Sequence, residues 1–549
     1  MALRSLEQAK DRYGGDWSER KLEWLARLEL KVLRSAREVL RLHEALCFLR
    51  AYPDDERVLA RADRMLAQFH QRSDLKRHRK ALADTGVSGT DIHYRFFWPT
   101  ALWISRRYPS RLHIERTDRE PESRIRDALA VLVTPAEADW LRHSGIGAYS
   151  ALEKLRDANE TAAEFLVRRV AAMPGDGYSR ESFFDAIDAS FLLRPGGATP
   201  SRTRDFYAAA PKAFRGAPLR RARPDLRAQM RVKPRSVQVP GAKEGARLID
   251  LARSVMVARG RDLDAFAYGE ARDVRLIDQG GGLAFMVNGM VPERRDVLAA
   301  YYGFVSLQNG VPTGYGQLDF VGRSAAISFN TFATFRGAEA AWSFASLLAM
   351  ASQVFGAQSF SLEPYQLGGH NAEAIASGAW WFYYKLGFRP RAPQALRVLE
   401  DELARMKANP AHRSDKPTLR RLAAWHLFFD LDPSRPAPLP PLARLGERVA
   451  RSLAARGGSD RKRSGKACER ELMEMLDLRS LEGWSRSERL AWSRWAPLAV
   501  SWPEIGDWNR PEKQALVRVI RAKGAPGEND FVARLAAHRK LLAVLGCAA

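Results

Sequence analysis

The sequence predicts an α+β chain, with a mixed central sheet and flanking helices set between mainly α-helical N-terminal and C-terminal domains. Three patterns carry that expectation. Apolar side chains recur at three- and four-residue spacing before residue 200 and again after residue 390, as amphipathic helices require. Strand-length apolar runs punctuated by turn residues fill the middle. Proline-dense stretches divide the blocks, because proline has no backbone N–H and cannot continue a helix.

Residues 1–200 open with Leu22, Leu25, Leu28, Val32, Leu33, Val39 and Leu40, then Val58, Leu59, Met65 and Leu66, on either side of Pro53-Asp54-Asp55. That is a helical hairpin whose second helix starts on an aspartate cap. Helical signals resume over Pro135–Leu155 and Thr161–Met173. Residues 201–240 hold Pro211, Pro218, Pro224 and Pro234 among arginines and are expected to form an extended connector.

The α+β domain is placed at 241–400. Ala246, Ile249, Ala252, Val255 and Met256 form a helical stripe, and Asp273–Gln279 and Leu283–Asn288 are strands around the turn Gly280-Gly281-Gly282. Tyr302–Gln308 and Tyr315–Val321 are joined by Asn309-Gly310-Val311-Pro312-Thr313-Gly314, a hairpin signal. Ala325–Phe332 adds a third run. A helix through Phe344, Leu347, Leu348, Ala351 and Phe355 follows, then strand Ser359–Leu362 and helix Asn371–Leu386. Residues 401–549 form a basic helical domain with helices Leu396–Met406 and Leu419–Phe428 at its entry and a proline-rich spacer at 431–445. Arg456–Gly465 is expected to be a flexible basic loop. Trp484, Trp492, Trp495, Trp502 and Trp508 fit a bundle core better than an exposed stacking platform, since they fall at helical spacing.

Composition sets limits on function. The 549 residues carry 88 Lys+Arg against 64 Asp+Glu, a net charge of +24. The excess is uneven: residues 201–235 contribute +9 and 401–549 contribute +10, while 236–400 contribute only +1. Basic flanks around a neutral centre suit an anionic partner such as nucleic acid. No apolar run reaches the roughly 20 residues of a membrane span, and no apolar signal-peptide core follows Met1, so a cytoplasmic location without membrane contact is expected. Cys47, Cys468 and Cys547 are too scattered for a disulfide framework or a zinc cluster, so no metal is expected.

The informative block ends in Asn371-Ala-Glu-Ala-Ile375 and Trp381-Phe-Tyr383-Tyr-Lys385-Leu-Gly387-Phe388. Its element order and this ending resemble the GNAT acyltransferase superfamily, over residues about 241–391. The resemblance implies transfer of an acyl group from acyl-coenzyme A to an amine, carried by a small molecule or a protein. It makes Tyr383 the acid for the leaving thiolate and Asn371 the start of the final helix. It also places a phosphate-binding turn at Phe335–Trp342, with Arg336, Gly337 and Ala338 facing the cofactor. Glu339 stands where the family has glycine, so its carboxylate is expected to crowd a diphosphate and leave coenzyme A binding altered or lost. From the residues themselves, Glu363 at the end of strand Ser359–Leu362 is a general base or substrate anchor whose carboxyl burial would raise, and Gln366 and His370 border the same opening. Two alternatives stay open. One is a catalytically silent scaffold that binds nucleic acid or an acidic protein; the other is a transferase using aminoacyl-tRNA as donor.

Overall fold

A computed structural model describes residues 1–116 and 122–547. The chain divides into two compact units, and both are discontinuous in sequence.

Unit 1 comprises Met1–Leu219, Arg247–Tyr268 and Leu307–Thr313. It is mainly helical, as the apolar spacing predicts. Ser35 and Asp55 cap helices Ala36–Ala51 and Glu56–Ala67 by accepting from the amides of Glu38 and Val58. A small sheet among its described residues was not foreseen. Strands β1 (Ile92–Tyr94), β2 (Leu112–Ile114) and β3 (Phe191–Leu193) form an antiparallel sheet with β3 in the middle, pairing Leu193 with both Ile92 and Leu112.

Unit 2 comprises Arg220–Ala246, Gly269–Ser306 and Gly314–Ala549. Among the described residues its sheet has nine strands, β4 (Ser236–Gln238), β5 (Gly269–Gly280), β6 (Leu283–Met290), β7 (Ala300–Gln308), β8 (Val311–Val321), β9 (Ser324–Thr331), β10 (Ser359–Leu362), β11 (Arg389–Pro390) and β12 (Leu427–Asp430), with the β7–β8 hairpin end Leu307–Thr313 counted in unit 1. They lie in the order β11-β12-β10-β9-β8-β7-β6-β5-β4. The sheet is mixed: β10 runs parallel to β9, whereas β8–β9, β10–β12 and β11–β12 are antiparallel.

Register gives the sheet two unlike faces. Phe320, Ala325, Phe360 and Phe429 stand opposite one another across β8, β9, β10 and β12. With Leu318, Ile327, Phe329 and Leu362 they form a buried apolar face. Helix Ala340–Phe355 covers it, bringing Phe344 to 5.3 Å from Phe329 and Phe355 to 5.0 Å from Phe320, centroid to centroid. The next residue along each strand points the other way. That second face carries Gln317 and Asp319, Ser324, Ala326, Ser328 and Asn330, then Ser361, and it is only half-buried on β8 and β9.

Four expectations need correction. Leu427 and Phe428, read as the end of helix Leu419–Phe428, open strand β12 inside the sheet; the helix stops at Ala423 and the run Leu427-Phe-Phe-Asp430 pairs with β10. Asn371–Leu386 is two helices, Ala372–Ser377 and Ala379–Leu386, broken at Gly378, whose φ of 66° is left-handed. The basic loop at 456–465 is mostly helical, since Arg461–Met475 is a helix capped by Asp460. The division into units also passes by the boundary near 400, because residues 401–549 share one core with the sheet. Trp492 and Trp495 lie at most 1% exposed in that core, as their spacing suggested.

The connector from 201 to 240 is irregular rather than uniformly extended: it holds hydrogen-bonded turns at 201–205, 207–210 and 228–232 and one turn of helix, Leu226–Gln229. Its second half lies along helix Ala340–Phe355. Arg220 meets Glu339, Trp342 Nε1 donates to the Ala222 carbonyl at 2.9 Å, and Gln353 Nε2 donates to the Met230 carbonyl at 2.8 Å.

Candidate functional site

The site forms where two parallel strands part. β9 and β10 pair from Ser324 with Ser359 to Ala326 with Ser361 and no further. Pro364, lacking an N–H, ends β10 and starts the short helix Pro364–Leu367, while β9 runs on to Thr331. The edge of β9 left bare is met by a side chain. Gln366 Nε2 donates to the Phe329 carbonyl at 2.8 Å and its Oε1 faces the Phe329 amide at 3.4 Å. This bracket fixes which end of the Gln366 amide is nitrogen. Its second N–H donates to the Tyr383 hydroxyl at 2.8 Å.

Tyr383 is 3% exposed, with its ring packed against Phe344, Phe382 and Phe388. Burial drives its phenol well above the ordinary value, against the smaller pull of the Gln366 bond, so it stays protonated. Because Gln366 donates to its oxygen, the Tyr383 proton has no protein acceptor among the described residues.

A cavity of about 340 Å³ opens beside this hydroxyl, lined by Arg336, Gly337, Gln366, Asn371, Glu373 and Tyr383 among others. Five residues proposed from sequence are thus brought together. Asn371 caps helix Ala372–Ser377, accepting from the Ala374 amide at 3.1 Å, and donates to the Tyr365 carbonyl at 3.2 Å. Gly337 has φ of 80°, a left-handed conformation, with open space where a Cβ would stand. Arg336 is held across the cavity by the Glu373 carboxylate.

The remaining candidates lie elsewhere. Ala338 does not line the cavity, and its amide donates to the Phe335 carbonyl at 3.1 Å. His370 and Glu363 are exposed on the surface. Glu363 is therefore not buried as expected: it follows the last residue of β10, outside the cavity lining. Glu339 does not crowd the cavity either. It is 4% exposed and turned to the connector, accepting from the Arg220 backbone N–H at 3.0 Å and side-chain Nε at 3.1 Å.

Sequence reasoning missed Asp319. Its register partner is Ala326, whose other partner is Ser361, the last pair before β9 and β10 separate. It therefore sits on the half-buried polar face, beside the gap. Gln317 Nε2 donates to Asp319 Oδ1 at 2.6 Å. Burial pushes the Asp319 carboxyl up to about 7, Gln317 pulls it down, and the like charges of Glu363 and Asp296 add to the rise. Tyr301 is raised by burial, its bond to Asp296, and the charges of Asp319 and Glu363; burial lowers His426, opposed by Glu363. The signal available was the two-residue alternation of polar side chains along 315–330, which marks an exposed face but not its neighbours.

Unit 1 offers less. Its cavity of about 490 Å³ is lined by His113, Arg116, Tyr149 and Arg156, but Arg156 is spent on Glu153 and on backbone carbonyls. Cys47 lies 3.8 Å from His43 and burial pushes its thiol up to about 11, which leaves it un-ionised at neutral pH. Among the described residues no group of His, Cys, Asp and Glu could hold a metal ion, and no helix is long and apolar enough to cross a membrane.

No protein-family model, no curated protein and no solved structure matches this chain.

Proposed function

We propose that unit 2 is an acyltransferase of the GNAT type, which moves an acyl group from a thioester such as acetyl-coenzyme A to an amine. The observation that carries this reading is the Gln366–Tyr383 pair at the parted strands. It leaves one buried hydroxyl, protonated at neutral pH and with an uncommitted proton, beside a cavity. A departing thiolate needs such a donor.

In this reading the thioester lies in the cavity, with anionic groups of the donor towards Arg336 and Gly337. The amine approaches over the polar face and attacks the carbonyl carbon through the gap. Its excess proton passes to Asp319, while Tyr383 donates to the sulfur as the C–S bond breaks. Asp319 takes the role expected of Glu363, because it lies at the gap and its carboxyl titrates near neutral pH. Acetyl-coenzyme A at 100 times its Kd is expected to stabilise the chain by about 2.7 kcal/mol, read as a rise in melting temperature. No shift at millimolar ligand contradicts the reading.

Two further outcomes follow. The Arg336–Glu373 pair is more than half exposed on both sides, so it is easily displaced. Glu373→Gln is expected to tighten acetyl-coenzyme A binding several-fold by calorimetry, and weaker binding would contradict the displacement. Asp319→Asn acts on both rate and stability. Between about pH 4 and 7 the folded carboxyl holds a proton that the unfolded chain releases, so this group's contribution falls as pH rises through that window. The variant is expected to lose turnover about 100-fold yet melt higher than wild type at pH 8, by on the order of 1 kcal/mol. Equal melting curves at pH 8 would refute the assignment.

A further inference from the structure

Independently of the acyl-transfer reading, we propose that the connector segment 220–235 is a docking strip for the phosphodiester backbone of a nucleic acid. The segment carries Arg220, Arg221, Arg223, Arg227, Arg231, Lys233 and Arg235 against a single acid, Asp225. All seven cations are exposed.

The anions nearby are already spent. Asp225 caps helix Leu226–Gln229, accepting from the amides of Arg227 and Ala228. Glu339 is taken by Arg220, and Asp430 by Arg391 and Ser359. Arg227 anchors the strip, donating to the carbonyls of Leu431 and Asp430 with its guanidinium over the Phe429 ring. Arg223, Arg231, Lys233 and Arg235 have no side-chain partner among the described residues, so nothing in unit 2 neutralises them.

Shape favours a polymer of phosphates. Residues 220–230 of the strip are held along a 16-residue helix, about 24 Å long at 1.5 Å per residue. Pro224 and Pro234 bound the single helical turn Leu226–Gln229, and Pro234 biases Lys233 to the extended region. Arg231 closes the turn after helix Leu226–Gln229, and Lys233 and Arg235 follow on the run that leads into β4, where extended chain spaces alternate Cα atoms by about 7 Å. A row of exposed, mostly guanidinium cations on a backbone held in place suits repeated phosphates, which guanidinium forks bind in pairs. Val232, Val237 and Val239 lie exposed between and beside these cations, 43%, 44% and 64% respectively, and offer apolar contact to base faces.

The test uses the full chain and a fluorescein-labelled single-stranded RNA 20-mer, followed by anisotropy from 50 to 300 mM salt. Wild type is expected to bind with a salt slope that the variant R223Q/R231Q/K233Q/R235Q makes shallower by about 0.7 per lost contact, with affinity falling at least tenfold. Lys462→Gln/Arg463→Gln, on the other basic stretch, is expected to bind within twofold of wild type. Acetyl-coenzyme A binding should survive in all of them, which separates this result from the fate of the acyl-transfer reading. Among the described residues the four side chains make no hydrogen bond or ion pair, and Arg231→Glu alone checks that any loss is electrostatic. Absence of RNA binding at 50 mM salt overturns the proposal. So does unchanged affinity in the quadruple variant, or displacement of the RNA by an equal charge of polyglutamate, which would point to an acidic protein.

Discussion

Lys523→Met is expected to destabilise the chain by about 3–5 kcal/mol, the cost of leaving a buried charge without its partner. Lys523 is 4% exposed, and its ammonium donates to Glu528 at 2.5 Å and to the Ala299 carbonyl at 2.6 Å. Glu528 is fully buried; its second oxygen lies 3.4 Å from Arg295 but accepts no hydrogen bond. Arg295 in turn donates to the carbonyls of Lys523, Ala525 and Pro526, and the Glu528 amide donates to Asp273. This knot ties the helices after residue 500 to strand β5 and to the segment that leads into β7. It explains why residues 401–549 share one unit with the sheet. Lys523→Met combined with Glu528→Leu should recover much of the loss, because apolar replacement of a whole buried pair is often near neutral. Urea unfolding of the two variants measures both. A loss under 1 kcal/mol for the single variant would show that the pair is not buried as described.

Tyr383→Phe carries the second large effect. The ring stays packed between Phe344, Phe382 and Phe388, so folding stability should change little. What disappears is the proton beside the cavity and the acceptor for Gln366. Turnover of acetyl-coenzyme A with an amine acceptor is expected to fall about 100-fold or more at unchanged binding, since the donor acts on charge that develops only as the C–S bond breaks. A fall in binding with turnover per bound ligand intact would instead make Tyr383 a packing residue. Gln366→Leu is predicted to mimic the rate loss in part, because the Gln366 amide sets where the Tyr383 proton points.

Much of the sheet was legible because its strands alternate or run apolar over five or more residues and are joined by turn residues, as in β7, β8 and β9. Helix Ala340–Phe355 was legible from one apolar stripe. β12 was not. Leu427-Phe428-Phe429 continues the spacing of the helix before it, and the strand exists only because β10, more than 60 residues earlier, offers an edge. The same limit applies to the site. Tyr383, Gln366, Asn371, Arg336 and Gly337 came together because local order near the final helices brings them to one opening. Glu339 could be recognised as a charge but not assigned a partner, since Arg220 lies 119 residues away. Asp319 drew no notice because an aspartate in a strand gains meaning only from its opposite neighbours, Ala326 and then Ser361.

The most direct measurement is isothermal titration of acetyl-coenzyme A into the full chain and into Arg336→Glu and Tyr383→Phe. A thioester in the cavity at the parted strands predicts saturable binding at one site, abolished by the charge reversal and retained by the phenylalanine. Heat indistinguishable from dilution, or binding that ignores the reversal at Arg336, would contradict it.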